Sequence, residues 1–295
     1  MDKKQPLFTI AHISDLHFSK VSFGLSQFFS KRWIGNVNLI FNRRRVYKNE
    51  RPFSLIRPFI DHKVSHVCIV GDVSTTSSEE EFSIASRFMQ ECEKEHMKVL
   101  SIPGNHDAYT KRSYKRQLFY KYFQDDRDKR LPYCLQKNKV SAYFLGHEWW
   151  VVKLDTTYPA PFYHSTGKYT EEIDDNLRSL LSALPSTASI IMMNHFPLFY
   201  HEHPRRIMYG AEKLRETLSM YPNVKLYLHG HTHRHSIADL RGNHLPIVVD
   251  SGSAAHVQRG SWNLITIYPS HCTVTMYSSD AHLQWHKQKT LSYEL

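Results

Sequence analysis

The residues with the most chemistry in this 295-residue chain stand in five short clusters. One is His229-Gly230-His231-Thr232-His233, directly after the apolar run Val224-Lys225-Leu226-Tyr227-Leu228. On an extended chain, residues two apart point to the same side, about 6.6 Å from one another. Two metal ions in a shared site lie about 3.5–4 Å apart, and an imidazole nitrogen stands about 2.1 Å from its ion. A Gly-His-Thr-His turn at a strand end therefore suits two adjacent ions. Alone the pair says little, because the chain carries 20 histidines. Asp15-Leu16-His17 repeats the spacing with a carboxylate and an imidazole, a pair suited to Mn, Fe or Zn. A turn or cap aspartate is the plain alternative there. Gly71-Asp72, Gly104-Asn105-His106-Asp107 and Asn194-His195 complete the set.

Each cluster ends an apolar segment. Residues 7–13, 66–70, 99–102, 190–193 and 224–228 read as buried strands, each followed by one of the polar groups. Between them, residues 52–62, 79–97, 170–184 and about 210–221 have helical patterns, and the charged stretch 111–130 is expected to be helical. Strands are expected within 131–156 and, as an antiparallel set, at 246–253, 264–268 and 272–277. Strand and helix alternate in the first half, which is an α/β arrangement, and ligands of open sheets bind beyond the carboxyl ends of the strands. Packing gives no reason for five strand ends to collect Asp, Asn and His.

The composition suits one large domain: 41% of residues are hydrophobic, and no repeat or linker is evident. Cys68, Cys92, Cys134 and Cys272 form no Cys-x-x-Cys pair, so reduced thiols and a cytosolic setting are expected. The amino terminus shows no secretory pattern, and no apolar run reaches the roughly 18 residues of a membrane span. The formal net charge is +10, and much of the excess lies in one stretch. Lys20, Lys31, Arg32, Arg43, Arg44, Arg45, Lys48 and Arg51 face Glu50 alone. Phe23, Phe28, Phe29, Trp33 and several aliphatic residues interleave with them. Bulky aromatics with basic flanks suit a helical insertion, at about 20–50, lying on an anionic membrane surface; packing on the body of the protein is the alternative.

The order Asp-x-His, Gly-Asp, Gly-Asn-His-Asp, Asn-His, Gly-His-Thr-His resembles that of the calcineurin-like metallophosphoesterases, over about residues 8–270. The resemblance implies a four-layer αββα sandwich of two mixed sheets flanked by helices. It implies two divalent ions, Mn with Fe or Zn possible: Asp15, His17 and His233 at the first, Asn105, His195 and His231 at the second, Asp72 bridging them. His106 would be the catalytic histidine beside the phosphate, held by a carboxylate that the sequence does not identify, since Asp107 is adjacent but free to point away.

Within the family, Val73-Ser74-Thr75-Thr76 stands where the serine/threonine phosphatases carry Asp-Arg-Gly, which disfavours a protein phosphatase. The segment from Phe29 to Arg45 is similar to an element of a bacterial membrane-associated branch, that of the UDP-2,3-diacylglucosamine pyrophosphatases of lipid A synthesis. That likeness implies a lipid-nucleotide substrate, with Arg205, Arg206 and Arg259 as phosphate-binding candidates, and a place on the cytoplasmic face of the inner membrane. A general or cyclic-nucleotide phosphodiesterase is the rival. A nuclease fits less well, because the aromatic residues of the insertion suit lipid better than a phosphate backbone, so no nucleic-acid partner is expected.

Overall fold

The structure, a computed structural model, describes residues 5–20, 46–161, 164–199 and 203–295. Most of the basic and aromatic insertion, with Arg43, Arg44 and Arg45, lies outside the described residues, as do Phe162, Tyr163, Tyr200, His201 and Glu202. The strands are β1 (Phe8–Ile13), β2 (His66–Val70), β3 (Lys98–Ile102), β4 (Val140–Gly146), β5 (Trp149–Leu154), β6 (Gly167–Lys168), β7 (Ser189–Met193), β8 (Met208–Tyr209), β9 (Val224–His229), β10 (His235–Asp239), β11 (Ile247–Ser251), β12 (Ser261–Ile267), β13 (His271–Ser279) and β14 (Trp285–Glu294). The helices are α1 (Glu50–Phe53), α2 (Ile56–Asp61), α3 (Glu79–Lys94), α4 (Lys111–Lys115), α5 (Leu118–Tyr122), α6 (Leu135–Asn138), α7 (Glu171–Ala183) and α8 (Ala211–Ser219).

Two six-stranded sheets form, in the orders β14-β13-β12-β1-β2-β3 and β10-β11-β9-β7-β5-β4. Both are mixed: β1, β2 and β3 run parallel, as do β5, β7, β9 and β11, while β12, β13 and β14 of the first sheet and β4 and β10 of the second pair antiparallel with their neighbours. The alternation of strand side chains sorts the apolar residues into three cores. Ile10, Val70 and Ile102 of one sheet meet Val151, Ile191 and Leu228 of the other between the sheets. Phe59, Phe82 and Phe88 cover the outer face of the first sheet, and Leu177, Leu180 and Leu214 cover that of the second. The result is the helix-sheet-sheet-helix layering that the resemblance implies.

Several local expectations change. The stretch 111–130 holds only the short α4 and α5, and residues 135–138 form a helical turn inside the region expected to be strands. β11 pairs antiparallel with β10 but parallel with β9, not as one of a purely antiparallel set. Edge strands β10 and β14 carry too many polar and charged residues to show an apolar pattern, as suits edges that must not attract other chains. Cys68, Cys92, Cys134 and Cys272 are all free thiols. Among the described residues, no helix is long and apolar enough to cross a membrane.

Candidate metal centre

The parallel strands of both sheets end on one side of the sandwich, and the loops that leave them must turn sharply to aim side chains inward. The backbone shows it. Asp15, His17, Asp72, His231 and His233 all have φ between 42° and 68°, the left-handed region that costs non-glycine residues of order 1–3 kcal/mol each and gathers at functional sites. Gly104 is required for a different reason: a Cβ there would stand 2.2 Å from Asp72 Oδ1 and 2.3 Å from the Asp72 backbone nitrogen.

The five clusters converge in two groups, buried except for the partly exposed His233. In the first, Asp15 Oδ1 lies 2.9 Å from His233 Nε2 and 3.4 Å from His17 Nε2, and the two imidazole nitrogens lie 3.4 Å apart. In the second, Asn105 Oδ1 lies 3.2 Å from His195 Nε2 and 2.9 Å from His231 Nδ1. Asp72 Oδ2 reaches within 3.5 Å of His195 Nε2, and Asp72 also stands with His17 and with Asp15 in compact groups of ligand-bearing side chains. Atoms held about 2.1 Å from one ion stand about 3.0–3.4 Å from each other in octahedral or tetrahedral arrangements. The observed separations match that spacing, so these residues fit two cations with Asp72 between them.

The opposite edge of each imidazole fixes its tautomer. His195 Nδ1–H donates to the Val70 carbonyl at 2.8 Å, which leaves Nε2 to face Asn105 and Asp72. His231 is reversed: Nε2–H donates to the Arg206 carbonyl at 3.0 Å and Nδ1 faces Asn105. His233 Nδ1 meets the Tyr47 hydroxyl at 3.1 Å. Such outer partners orient ligands and raise their basicity.

His106 sits at the rim of this group, its ring edge-on to His17 at 4.9 Å and stacked on Tyr109 at 5.6 Å. Its Nδ1–H donates to the Thr75 carbonyl at 2.7 Å. The expected carboxylate partner is therefore replaced by a backbone carbonyl. Asp107 does point away: it accepts from the Val73, Ser74 and Gly104 amides and from the Ser74 hydroxyl. Thr75 is itself held in place, because buried Glu81 accepts from the Thr76 and Ser78 amides while Ser78 caps α3. Thus the Asp72–Ser78 loop, which the sequence marks only as lacking Asp-Arg-Gly, aims the catalytic candidate.

Arg205 and Arg206 lie on an exposed turn, Pro204–Arg206, whose carbonyl contact with His231 places it against the second group. Arg259 is exposed on the loop between β11 and β12, where its amide donates to His256 Nδ1 at 3.1 Å. His256 in turn packs edge-on against Tyr47 at 5.7 Å. The three guanidinium candidates thus belong to two loops beside the centre.

Burial opposes charge on both His195 and Asp72, but each offsets it in the other. Burial pushes His195 down, and the Asp72 carboxylate more than restores it, to about 9. Burial likewise pushes Asp72 up, and the His195 and His106 imidazoles outweigh it, holding the carboxyl well below the usual range. His231, which burial and the His195 charge drive down to about 3, stays neutral. Below about pH 9 the metal-free centre therefore keeps a proton on His195 that a metal must displace. Mn²⁺ titrations at pH 7.5, in buffers of different ionisation enthalpy, are expected to show about one proton released per chain. Apparent affinity should rise about tenfold per pH unit between 6 and 8; identical heats in all buffers would contradict the His195 charge.

The geometry agrees with what comparison finds. The model of the calcineurin-like phosphoesterases matches residues 8–235. The comparison with curated proteins gave no match. Among solved structures, a dimetal phosphatase from Danio rerio superposes with a TM-score of 0.67 at 14% identity, covering 98% of this chain and 99% of that one. A purple acid phosphatase from yellow lupin seeds gives 0.60 at 12% identity, covering 97% of this chain and 53% of that one. PhoD gives 0.60 at 12% identity, covering 99% and 70%. These likenesses carry the fold, and the match over most of the sequence carries the family: the chain belongs to the calcineurin-like phosphoesterases, metal-dependent phosphoester hydrolases.

Proposed function

We propose that this protein hydrolyses the pyrophosphate bond of a lipid-linked nucleotide, UDP-2,3-diacylglucosamine, to the lipid 1-phosphate and UMP, at an anionic membrane surface. Asp15, His17 and His233 would hold one divalent ion, Asn105, His195 and His231 the other, and Asp72 both; Mn²⁺ suits this oxygen-and-imidazole donor set, with Fe or Zn as alternatives. The pair, when bound, supplies charge neutralisation at the phosphoryl oxygens and an acidified water. The rest falls to the chain. Val70 and Arg206 carbonyls hold the ligating imidazoles in their working tautomers. Thr75 fixes the His106 ring with its proton on Nδ1. In the imidazolium form Nε2 carries the second proton, and Nε2–H is then the group that stabilises the phosphoryl oxygens or hands its proton to the leaving oxygen. Arg205, Arg206 and Arg259 are the candidates for the outer phosphate.

The observation that carries the lipid reading is where the basic and aromatic segment starts and returns. Phe18, immediately after His17, bridges to Ser74 beside the Asp72 loop. Ser19 and Asn49 clasp each other through two 3.0 Å hydrogen bonds, and Tyr47 touches His233. The described chain thus leaves and re-enters beside the centre, and the arginines and aromatic residues that the sequence carries between those two points suit a substrate with acyl chains and a charged head.

The test is hydrolysis of UDP-2,3-diacylglucosamine by purified protein with Mn²⁺, beside a soluble aryl phosphodiester. Lipid cleavage releasing UMP, much faster than aryl turnover, is the expected result. Aryl turnover with no lipid cleavage would overturn the substrate, leave the metal chemistry standing, and favour a general or cyclic-nucleotide phosphodiesterase.

A further inference from the structure

The four imidazoles whose outer hydrogen bonds are described above divide unequally. His106, His195 and His231 each lean on a backbone carbonyl, those of Thr75, Val70 and Arg206. His233 leans on a side chain, the Tyr47 hydroxyl, 3.1 Å from Nδ1. The Tyr47 ring also lies 4.7 Å from the His17 ring, so one residue touches both imidazoles of the first group. A carbonyl is fixed by its strand or loop, whereas a tyrosine is only as well placed as the segment that carries it.

That segment is strongly tied down. Val257 donates its amide to the Val46 carbonyl at 2.7 Å, and Lys48 donates to Ala255 at 3.2 Å, so that Tyr47 bridges to His256. Arg51, 1% exposed, donates to the Val257 carbonyl at 2.5 Å, to the Asp280 carbonyl at 2.8 Å, and to the Ser279 hydroxyl. A buried guanidinium thus pins the loop after β11 to the chain that returns from residues 21–45.

We infer that Tyr47 is a positioning residue of the first metal site: its hydroxyl oxygen accepts a hydrogen bond from His233 Nδ1–H, and so turns Nε2 toward Asp15 and His17. The inference rests on the reading of Asp15, His17 and His233 as metal ligands. It adds a residue that lies in none of the five clusters, and it makes occupancy of one ion depend on where the segment 21–45 rejoins the fold.

Tyr47→Phe removes the hydroxyl and keeps the ring, which separates positioning from packing. In Mn²⁺ titrations of the full chain, the affinity of one ion is expected to fall about 10–100-fold, the range for outer partners of ligating histidines. The other ion should bind as in wild type, and the melting temperature of the metal-free protein should not move. Turnover lost at low Mn²⁺ should return at high Mn²⁺. Two wild-type affinities in Tyr47→Phe, with loss only in Tyr47→Ala, would overturn the inference and leave Tyr47 a packing residue. A wild-type chain that binds no second ion would instead defeat the reading of the site. Should Tyr47→Phe fail to fold, the readout moves to Zn²⁺-loaded wild-type protein with ¹⁵N-labelled histidine. There the His233 Nδ1–H, assigned by its loss in His233→Asn, is expected as a slowly exchanging signal; fast exchange would overturn the inference.

Discussion

Asp72→Ala is expected to abolish phosphoesterase turnover and to take the protein from two bound divalent ions toward one or none. Asp72 is 2% exposed and stands in compact groups with His17 of the first site and with His195 of the second. Removing one partner from a buried, paired charge costs roughly 3–5 kcal/mol, because the remaining charge loses its counterion where water cannot replace it. At 1.4 kcal/mol per decade, that is about a 10²–10⁴-fold weaker hold on the ions. The alanine also deletes the acceptor of the His106 amide, which lies 2.7 Å from Asp72 Oδ1. Asp72→Asn separates the two losses. It keeps an oxygen for the His106 amide and removes the charge, so a protein with an intact loop and depleted metal is expected. Metal analysis and turnover on the same preparations decide: both ions retained at full turnover in either variant would refute a bridging role.

The sequence made the ligands legible because their positions follow from strand periodicity. Asp15, Asp72, Asn105, His195 and His231 each come within three residues of the end of an apolar run, and parallel strands in adjacent positions bring those ends together. The layering came from the family resemblance, whereas the apolar runs themselves marked only buried strands. What could not be read depends on contacts between distant segments. The partner of His106 is a carbonyl, and every residue carries one, so no side-chain type could announce Thr75. Tyr47 follows a long insertion, and its contact with His233 depends on the pairing of Val46–Lys48 with Ala255–Val257. The left-handed backbone at Asp15, His17, Asp72, His231 and His233 is equally silent, since Asp and His enter that region more readily than most residues but do not require it. The parallel pairing of β11 with β9 follows from a crossover through β10, a strand too polar to be recognised. The function divides the same way: hydrolysis rests on five motifs at the ends of regular structure, and the substrate proposed above rests on a segment known by its composition.

His106→Ala is expected to lose about 10²–10⁴-fold in turnover at saturating Mn²⁺, the usual range for a positioned acid or base, while retaining both ions. The metal count matters here because geometry alone places His106 close enough to His17 and Asp72 to share an ion with them. A variant that loses an ion along with turnover would make His106 a ligand, and the proton donor would have to be sought elsewhere. If both ions stay, the leaving group tells what His106 does. An acid that protonates the departing oxygen matters most when that oxygen is basic, so the loss should be large for an alkyl ester and much smaller for a nitrophenyl ester. An imidazole that only stabilises charge on the phosphoryl oxygens would cost both substrates alike. The lipid pyrophosphate proposed above departs as a phosphate, already a good leaving group. If His106 serves mainly as an acid, its removal should therefore hurt that substrate less than a simple alkyl diester. A uniform loss across all three would assign His106 to the phosphoryl oxygens, where the ring held by Thr75 and Tyr109 already lies beside His17.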